Sequence, residues 1–144
     1  MATSFDVIGE RALSVIDDYK LRKLYDVSVE VFEQKIDSFI FNAIPRFWQC
    51  NTELSYDKDL RQFNADLNDL EIQILADYCV IAWWEGETNV ASQIALKLKV
   101  SSSFTYNSEA QNFKEKQNVI DKLREEVDRQ TTNYLLKDIS SYEY

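Results

Sequence analysis

Apolar residues recur at intervals of three and four along most of this chain, the spacing of one face of a helix. The densest case is 69–86, where Ile72, Leu75, Ala76, Cys79, Val80 and Trp83 make one stripe and Ile74, Tyr78, Ile81 and Trp84 a second, roughly opposite. A helix that is apolar on two sides needs neighbours on both, so this segment is expected at the centre of the domain. Asn68 and Glu71 stand three positions apart at its start, the arrangement in which each side chain satisfies a free backbone N–H of the first turn. Gly86 is the expected stop.

The other elements follow in order. Ser4 caps a first helix whose stripe is Phe5, Ile8, Ala12, Val15, Ile16 and Tyr19; Gly9 weakens it slightly, and 20–26 leaves the helix. Ser28 caps a second, with Phe32, Ile36, Phe39, Ile40, Ala43, Ile44 and Phe47 at helical spacing. Pro45 lacks an N–H and clashes with the preceding turn, which predicts a kink or an end near Phe41–Ala43. Over 53–67 the period changes: Tyr56-Asp-Lys-Asp59 reads as a turn and 61–67 alternates polar with apolar, as a short hairpin or extended loop does. A fourth helix starts at Thr88 or Asn89, points Val90, Ala91, Ile94, Ala95 and Leu98 inward, and ends at Ser101-Ser-Ser103.

A fifth helix, capped by Asn107 or Ser108, runs for about 25 residues, or roughly 40 Å. Its stripe of Phe113, Val119, Ile120, Leu123 and Val127 gives way at 128–133 to a stretch whose only apolar groups are threonine methyls, so the helix is expected to leave its own core there. Beyond it Tyr134, Leu135, Leu136, Ile139, Tyr142 and Tyr144 make an apolar, aromatic tail that needs burial against something. The expected fold is all-α: a bundle of about five helices around 69–86, with the hairpin near 53–67 and a long C-terminal helix. The expected organisation is a helical domain over 1–133 and a docking tail over 134–144.

Composition narrows the chemistry. Two glycines and one proline in 144 residues disfavour turn-rich sandwiches and barrels. With no histidine, the chain lacks the usual general base of serine and cysteine hydrolases and the commonest zinc ligand. Neither glycine lies in a phosphate-binding motif. Asp57 and Asp59 begin an EF-hand pattern, but Arg61, Gln62 and Asn68 stand where the loop needs a ligand, a glycine and a glutamate. Cys50 and Cys79 match no metal or redox spacing and read as reduced, small apolar residues. Asp17-Asp18 and Glu125-Glu126 read as solvated pairs, because adjacent helix positions diverge by about 100°. Trp83 is expected in the core and Trp84 at a subunit contact. The expectation is a protein without catalytic centre, metal or cofactor. No secretory pattern and no membrane-length apolar run are present, which points to the cytoplasm.

The net charge of −9 is uneven: residues 51–89 carry nine acids and two bases. An acidic patch in the middle third repels nucleic acid, so tight DNA or RNA binding is not expected.

The order and pattern of several segments resemble the neck proteins of tailed bacteriophages, the small helical head-to-tail connectors (adaptors, head-completion proteins) that bind the portal. The residues that carry the likeness are Phe5 with Ala12-Leu13 and Ile16-Asp17-Asp18-Tyr19, then Ala43-Ile44-Pro45-Arg46-Phe47, Leu54-Ser55-Tyr56-Asp57 and Phe63-Asn64-Ala65-Asp66-Leu67. Farther on they are Glu71-Ile-Gln-Ile-Leu-Ala76, Trp83-Trp84, Glu109-Ala-Gln-Asn112 with Glu115-Lys116, and Leu123-Arg-Glu-Glu126 ahead of Tyr134. The resemblance implies a structural virion protein, not an enzyme, located in the neck of the particle and in the host cytoplasm during assembly. It implies a dodecameric ring of this chain beneath the portal protein, joined to the tail or a second neck protein, with genomic DNA passing through the central channel. On that reading the tail residues Tyr134, Leu135, Leu136, Ile139, Tyr142 and Tyr144 bind the portal. Asp57, Asp59 and Asp66 line the channel, where negative charge keeps DNA from sticking. The alternative is an acidic mimic of DNA or another phage-encoded binding protein.

Overall fold

The computed structural model describes residues 2–16, 19–98 and 103–142, with side chains described for 2–16, 21–86 and 114–137. Five helices and a three-stranded sheet of two-residue strands make an all-α architecture: α1 Phe5–Leu13, α2 Tyr19–Val27, α3 Val29–Arg46, α4 Asp69–Leu98 and α5 Ser103–Tyr142, with β1 Thr3–Ser4, β2 Tyr56–Asp57 and β3 Gln62–Phe63. As its two stripes require, α4 is the central element, packed by α5, α3 and α1. Ile72, Ile74, Leu75, Ala76, Cys79, Val80 and Ile81 are all buried, so both faces of the helix are used.

The caps read from the sequence are in place. Ser4 Oγ accepts from Asp6 N and Ser28 Oγ from Val31 N. At the head of α4, Asn68 N donates to Glu71 Oε1 at 3.0 Å and Glu71 N donates to Asn68 Oδ1 at 2.8 Å, a complete capping box.

Several boundaries differ from expectation, each for a physical reason. The first helix ends at Leu13 rather than running through Tyr19, with Val15 exposed, and 20–26 forms part of a helix of its own, α2, where Leu21 is buried and the Tyr25 ring meets Phe32 edge-on at 5.2 Å. Burial of one face outweighs the charge on the other. Helix α3 does not end near Phe41–Ala43 but continues to Arg46. Pro45 sits in the last turn, where its missing N–H forfeits one bond, and Phe47 N closes the helix on Ala43 O and Ile44 O. Gly86 stops nothing. It is exposed and not left-handed, and α4 runs through it, so the expected fourth helix is the second half of α4. The expected end at 101–103 falls largely on 101–102, outside the described residues.

Helix α5 starts at Ser103, ahead of the expected cap, and its 40 residues span about 60 Å. It does not leave the core at 128–133. Ile120, Val127, Thr131 and Tyr134 are buried along one line, and Thr131 makes this possible by donating its hydroxyl to Val127 O at 2.8 Å, which leaves its methyl free to pack. The helix runs antiparallel to α4, with Arg124 beside Glu85 and Tyr134 beside Glu71. A boundary at 133/134 therefore falls inside one continuous helix.

The hairpin gains a strand the sequence pattern did not announce. β1 pairs antiparallel with β3, Thr3 opposite Phe63, and β2 pairs on the other side of β3, giving the order β1-β3-β2. The N-terminus thereby closes over the hairpin, with the buried rings of Phe5 and Phe63 5.1 Å apart. Thr3 Oγ1 completes the seam, donating to Ala65 O and accepting from Leu67 N. Among the described residues, no helix is long and apolar enough to cross a membrane.

Candidate functional site

The C-terminal part of α5 is held by a polar cluster at the head of α4. Glu71, only 1% exposed, is its centre. The capping box aims its carboxylate inward, where Oε2 accepts from Tyr134 Oη at 2.8 Å and from the Cys50 thiol at 3.2 Å. Tyr134 Oη in turn accepts from Asn51 N at 2.8 Å. Burial by itself raises the Glu71 pKa, but hydrogen bonds from Asn68, Thr52, Tyr134 and Cys50 outweigh it and hold the carboxyl below its ordinary value. The same burial, together with the neighbouring carboxylate, pushes the Cys50 thiol up to about 12 and the Tyr134 phenol well above its usual range. A nucleophile needs its thiolate, so this geometry keeps Cys50 inert and makes it a donor. Cys79, buried in the core, is likewise pushed up to about 12.

This cluster corrects one assignment and locates others. Tyr134 is not an outward docking residue: it is buried, stacked on Phe47 with ring centroids 5.4 Å apart. Leu135 and Leu136 are exposed, Leu136 by 57%. The side chains of Ile139 and Tyr142, and the whole of Tyr144, lie outside the described residues. Trp48, which the sequence reading passed over, is 79% exposed beside Phe47. Trp48 thus follows the buried Phe47 in sequence, as Leu135 and Leu136 follow the buried Tyr134. Trp83 and Trp84 are both half-buried, packed against the core with their rings edge-on at 5.0 Å.

The second candidate surface is the hairpin. Asp57 is only in part a surface charge: its Oδ1 accepts from Asp59 N and Leu60 N and so holds the turn together. Asp59 and Asp66 are exposed. Arg61 takes a left-handed φ of 52° and fans its guanidinium over α1 and α3: NH2 lies 2.7 Å from Asp37, and NH1 lies 2.9 Å from Asp6 and 3.4 Å from Glu33. The sequence held a signal for this hub, since Arg61 and Lys58 are the only bases in the acidic middle third. The hairpin is thus fastened to α1 and α3, and the Leu135–Leu136 surface to Phe47 and α4, so the two candidate surfaces are built on different anchors. A third tie joins the helices: Glu85, held below its ordinary pKa first by its hydrogen bond from Arg46 and then by one from Arg124, links α3, α4 and α5.

Comparison of the chain with family models, with curated proteins and with solved structures found no match. The site is therefore read from its own geometry.

Proposed function

We propose that this chain is a head-to-tail connector of a tailed bacteriophage: a structural protein of the virion neck that forms a ring beneath the portal and joins capsid to tail around the DNA channel. The observation that carries this reading is the exposure of Trp48, Leu135 and Leu136, the chain neighbours of the buried, mutually packed Phe47 and Tyr134. An exposed tryptophan is the residue type of an interface centre rather than of a solvated face. Leu135 and Leu136 are displayed on a helix anchored to Glu71 through Tyr134, so docking there does not require that part of the chain to order first.

On this reading the surface binds the portal protein, heterologous contacts between copies close the dodecameric ring, and a tail or second neck protein binds the opposite side. Asp59 and Asp66 supply exposed negative charge suited to a channel through which DNA slides without binding. The alternative of a DNA mimic needs free carboxylates in rows. Asp6, Glu33, Asp37, Asp69 and Glu85 are instead paired with arginines, which favours the connector.

The deciding experiment is light scattering of the purified protein alone and mixed with candidate portal. Wild type is expected to join the portal, and the double variant Trp48→Ser with Leu136→Asp, folded by circular dichroism, is expected to stay apart. Portal binding that is unchanged in the double variant would remove this surface from the mechanism. A monomer that ignores every portal and displaces DNA from an enzyme would establish the mimic instead.

A further inference from the structure

A separate surface lies between α1, α2 and α3. There an open groove of about 710 Å³ is lined by the apolar Leu13, Ile16, Phe32 and Ile36, and among the described residues neither Trp48 nor any α5 residue lines it. Along it α1 and α3 approach closely at Gly9, where a Cβ would lie 2.8 Å from Ile36 Cγ2, and α2 packs against α3. Its apolar surface continues outward. Tyr25 and Val29 line the groove and are themselves exposed, and Val27, 83% exposed, lies between them in sequence where α2 turns into α3. An open groove lined by apolar side chains, with exposed Tyr25 and Val29 at its edge and charge around it, has the composition of a partner site.

The border has a definite sign. Among the described residues, four carboxylates, Asp6, Glu10, Asp26 and Glu33, line the groove against the two guanidinium groups of Arg22 and Arg61. Arg61 is already occupied by Asp6, Glu33 and Asp37, so it does not offset Glu10 or Asp26. An apolar trough with an acidic edge is complementary to a helix that carries an apolar stripe between lysines or arginines: the stripe fills the trough and the cations meet the edge. α5 does not supply such a helix from a second copy, because Lys114, Lys116 and Lys122 alternate with Glu115, Asp121, Glu125 and Glu126.

We propose that this groove receives a basic amphipathic helix from another protein. The proposal rests on the groove and its edge, and stands apart from the connector reading.

The test uses the full chain and a fluorescein-labelled synthetic peptide of about five helical turns, leucine at helical spacing and lysine elsewhere. A second peptide of the same composition, scrambled to remove the stripe, controls for plain charge attraction. Anisotropy is expected to show saturable binding of the first peptide, weakened about tenfold or more in the scrambled peptide, in Glu10→Lys with Asp26→Lys, and in Val29→Asp. Equal binding of the two peptides, or full binding to folded groove variants, would overturn the proposal. Should the variants fail to fold, amide spectra of the wild-type protein titrated with peptide decide: shifts along α1–α3 support the groove, and shifts confined to the hairpin refute it. Light scattering without peptide supplies the last outcome. A mass that doubles with concentration and returns to monomer in Val29→Asp would mean that a second copy fills the groove, and the proposal would be wrong.

Discussion

Tyr134 donates its phenolic hydrogen to Glu71 Oε2 at 2.8 Å, joining residues 63 positions apart and fixing the C-terminal part of α5 to the head of α4. Because the acceptor is a buried carboxylate, this is a strong class of hydrogen bond, and losing it leaves the carboxylate and Asn51 N short of a partner. Tyr134→Phe is expected to cost about 1.5–3 kcal/mol in urea unfolding. Tyr134→Ala also removes the ring from Phe47 and is expected to cost about 3–5 kcal/mol. Equal urea midpoints for wild type and Tyr134→Phe would show that the tie adds nothing.

The same cluster sets an acid limit on stability. Glu71 has a folded pKa below the ordinary value of 4.5, so its ionised form is favoured by folding. Its contribution is complete above that value and is lost as pH falls through the lowered folded pKa. Glu85, lowered mainly by Arg46, acts with the same sign. Asp77 acts oppositely: burial raises it above 3.8, so its penalty is present at neutral pH and is relieved on acidification. In thermal melts across pH, Glu71→Gln is expected to lie below wild type at neutrality and to converge with it below pH 4.5. A gap that stays constant to strong acid would mean that the Glu71 charge is not what the native state recognises.

Gly9 is fixed by packing, not by backbone freedom. It sits inside α1, where alanine would gain up to about 1 kcal/mol of helix propensity. The added Cβ, however, would meet Ile36 Cγ2 at 2.8 Å, a methyl on a branched carbon that cannot swing aside. Overpacking of this kind costs about 1–3 kcal/mol, so Gly9→Ala is expected to destabilise on balance. Ile36→Leu moves the branch one carbon outward and is expected to relieve the variant, giving a favourable coupling in a double-mutant cycle. Additive effects of the two substitutions would place the strain elsewhere.

How much of this was legible in the sequence depended on whether the signal was local. The Asn68–Glu71 box, the Ser4 and Ser28 caps and the two-sided stripe of α4 are short-range patterns, and all are present. Gly86 misled because a glycine ends a helix only where the chain turns, and here α5 continues to pack alongside α4. Thr131 and Tyr134 misled because a polar tally cannot register a threonine hydroxyl bonded within its own helix or a phenol aimed at a buried carboxylate 63 residues away. The same limit hid β1, whose pairing with Gln62–Phe63 is a long-range event, and the groove, which exists only once α1, α2 and α3 are assembled. Of the candidate site, the exposed leucines were readable as apolar positions, whereas the exposure of Trp48 was not.

The acids of the hairpin divide into one that holds the fold and two that are free to serve the channel role proposed above. Asp57 Oδ1 accepts from Asp59 N at 3.0 Å and from Leu60 N at 3.1 Å, so it closes the turn that delivers Arg61 to Asp37. Asp57→Ala is expected to cost about 1 kcal/mol through loss of this local cap. At Arg61 the left-handed backbone adds a second contribution: Arg61→Gly and Arg61→Ala both lose the ion pairs, but glycine tolerates the φ of 52° and is expected to be less destabilising by about 1 kcal/mol. Asp59→Ala and Asp66→Ala touch no such tie and are expected within about 0.5 kcal/mol of wild type. They are therefore the substitutions that probe a channel: paired, they should leave assembly of particles intact while slowing or speeding DNA exit. Failure of assembly in the Asp59→Ala, Asp66→Ala protein at unchanged thermal midpoint would make the hairpin a contact surface and take the channel role from these two residues.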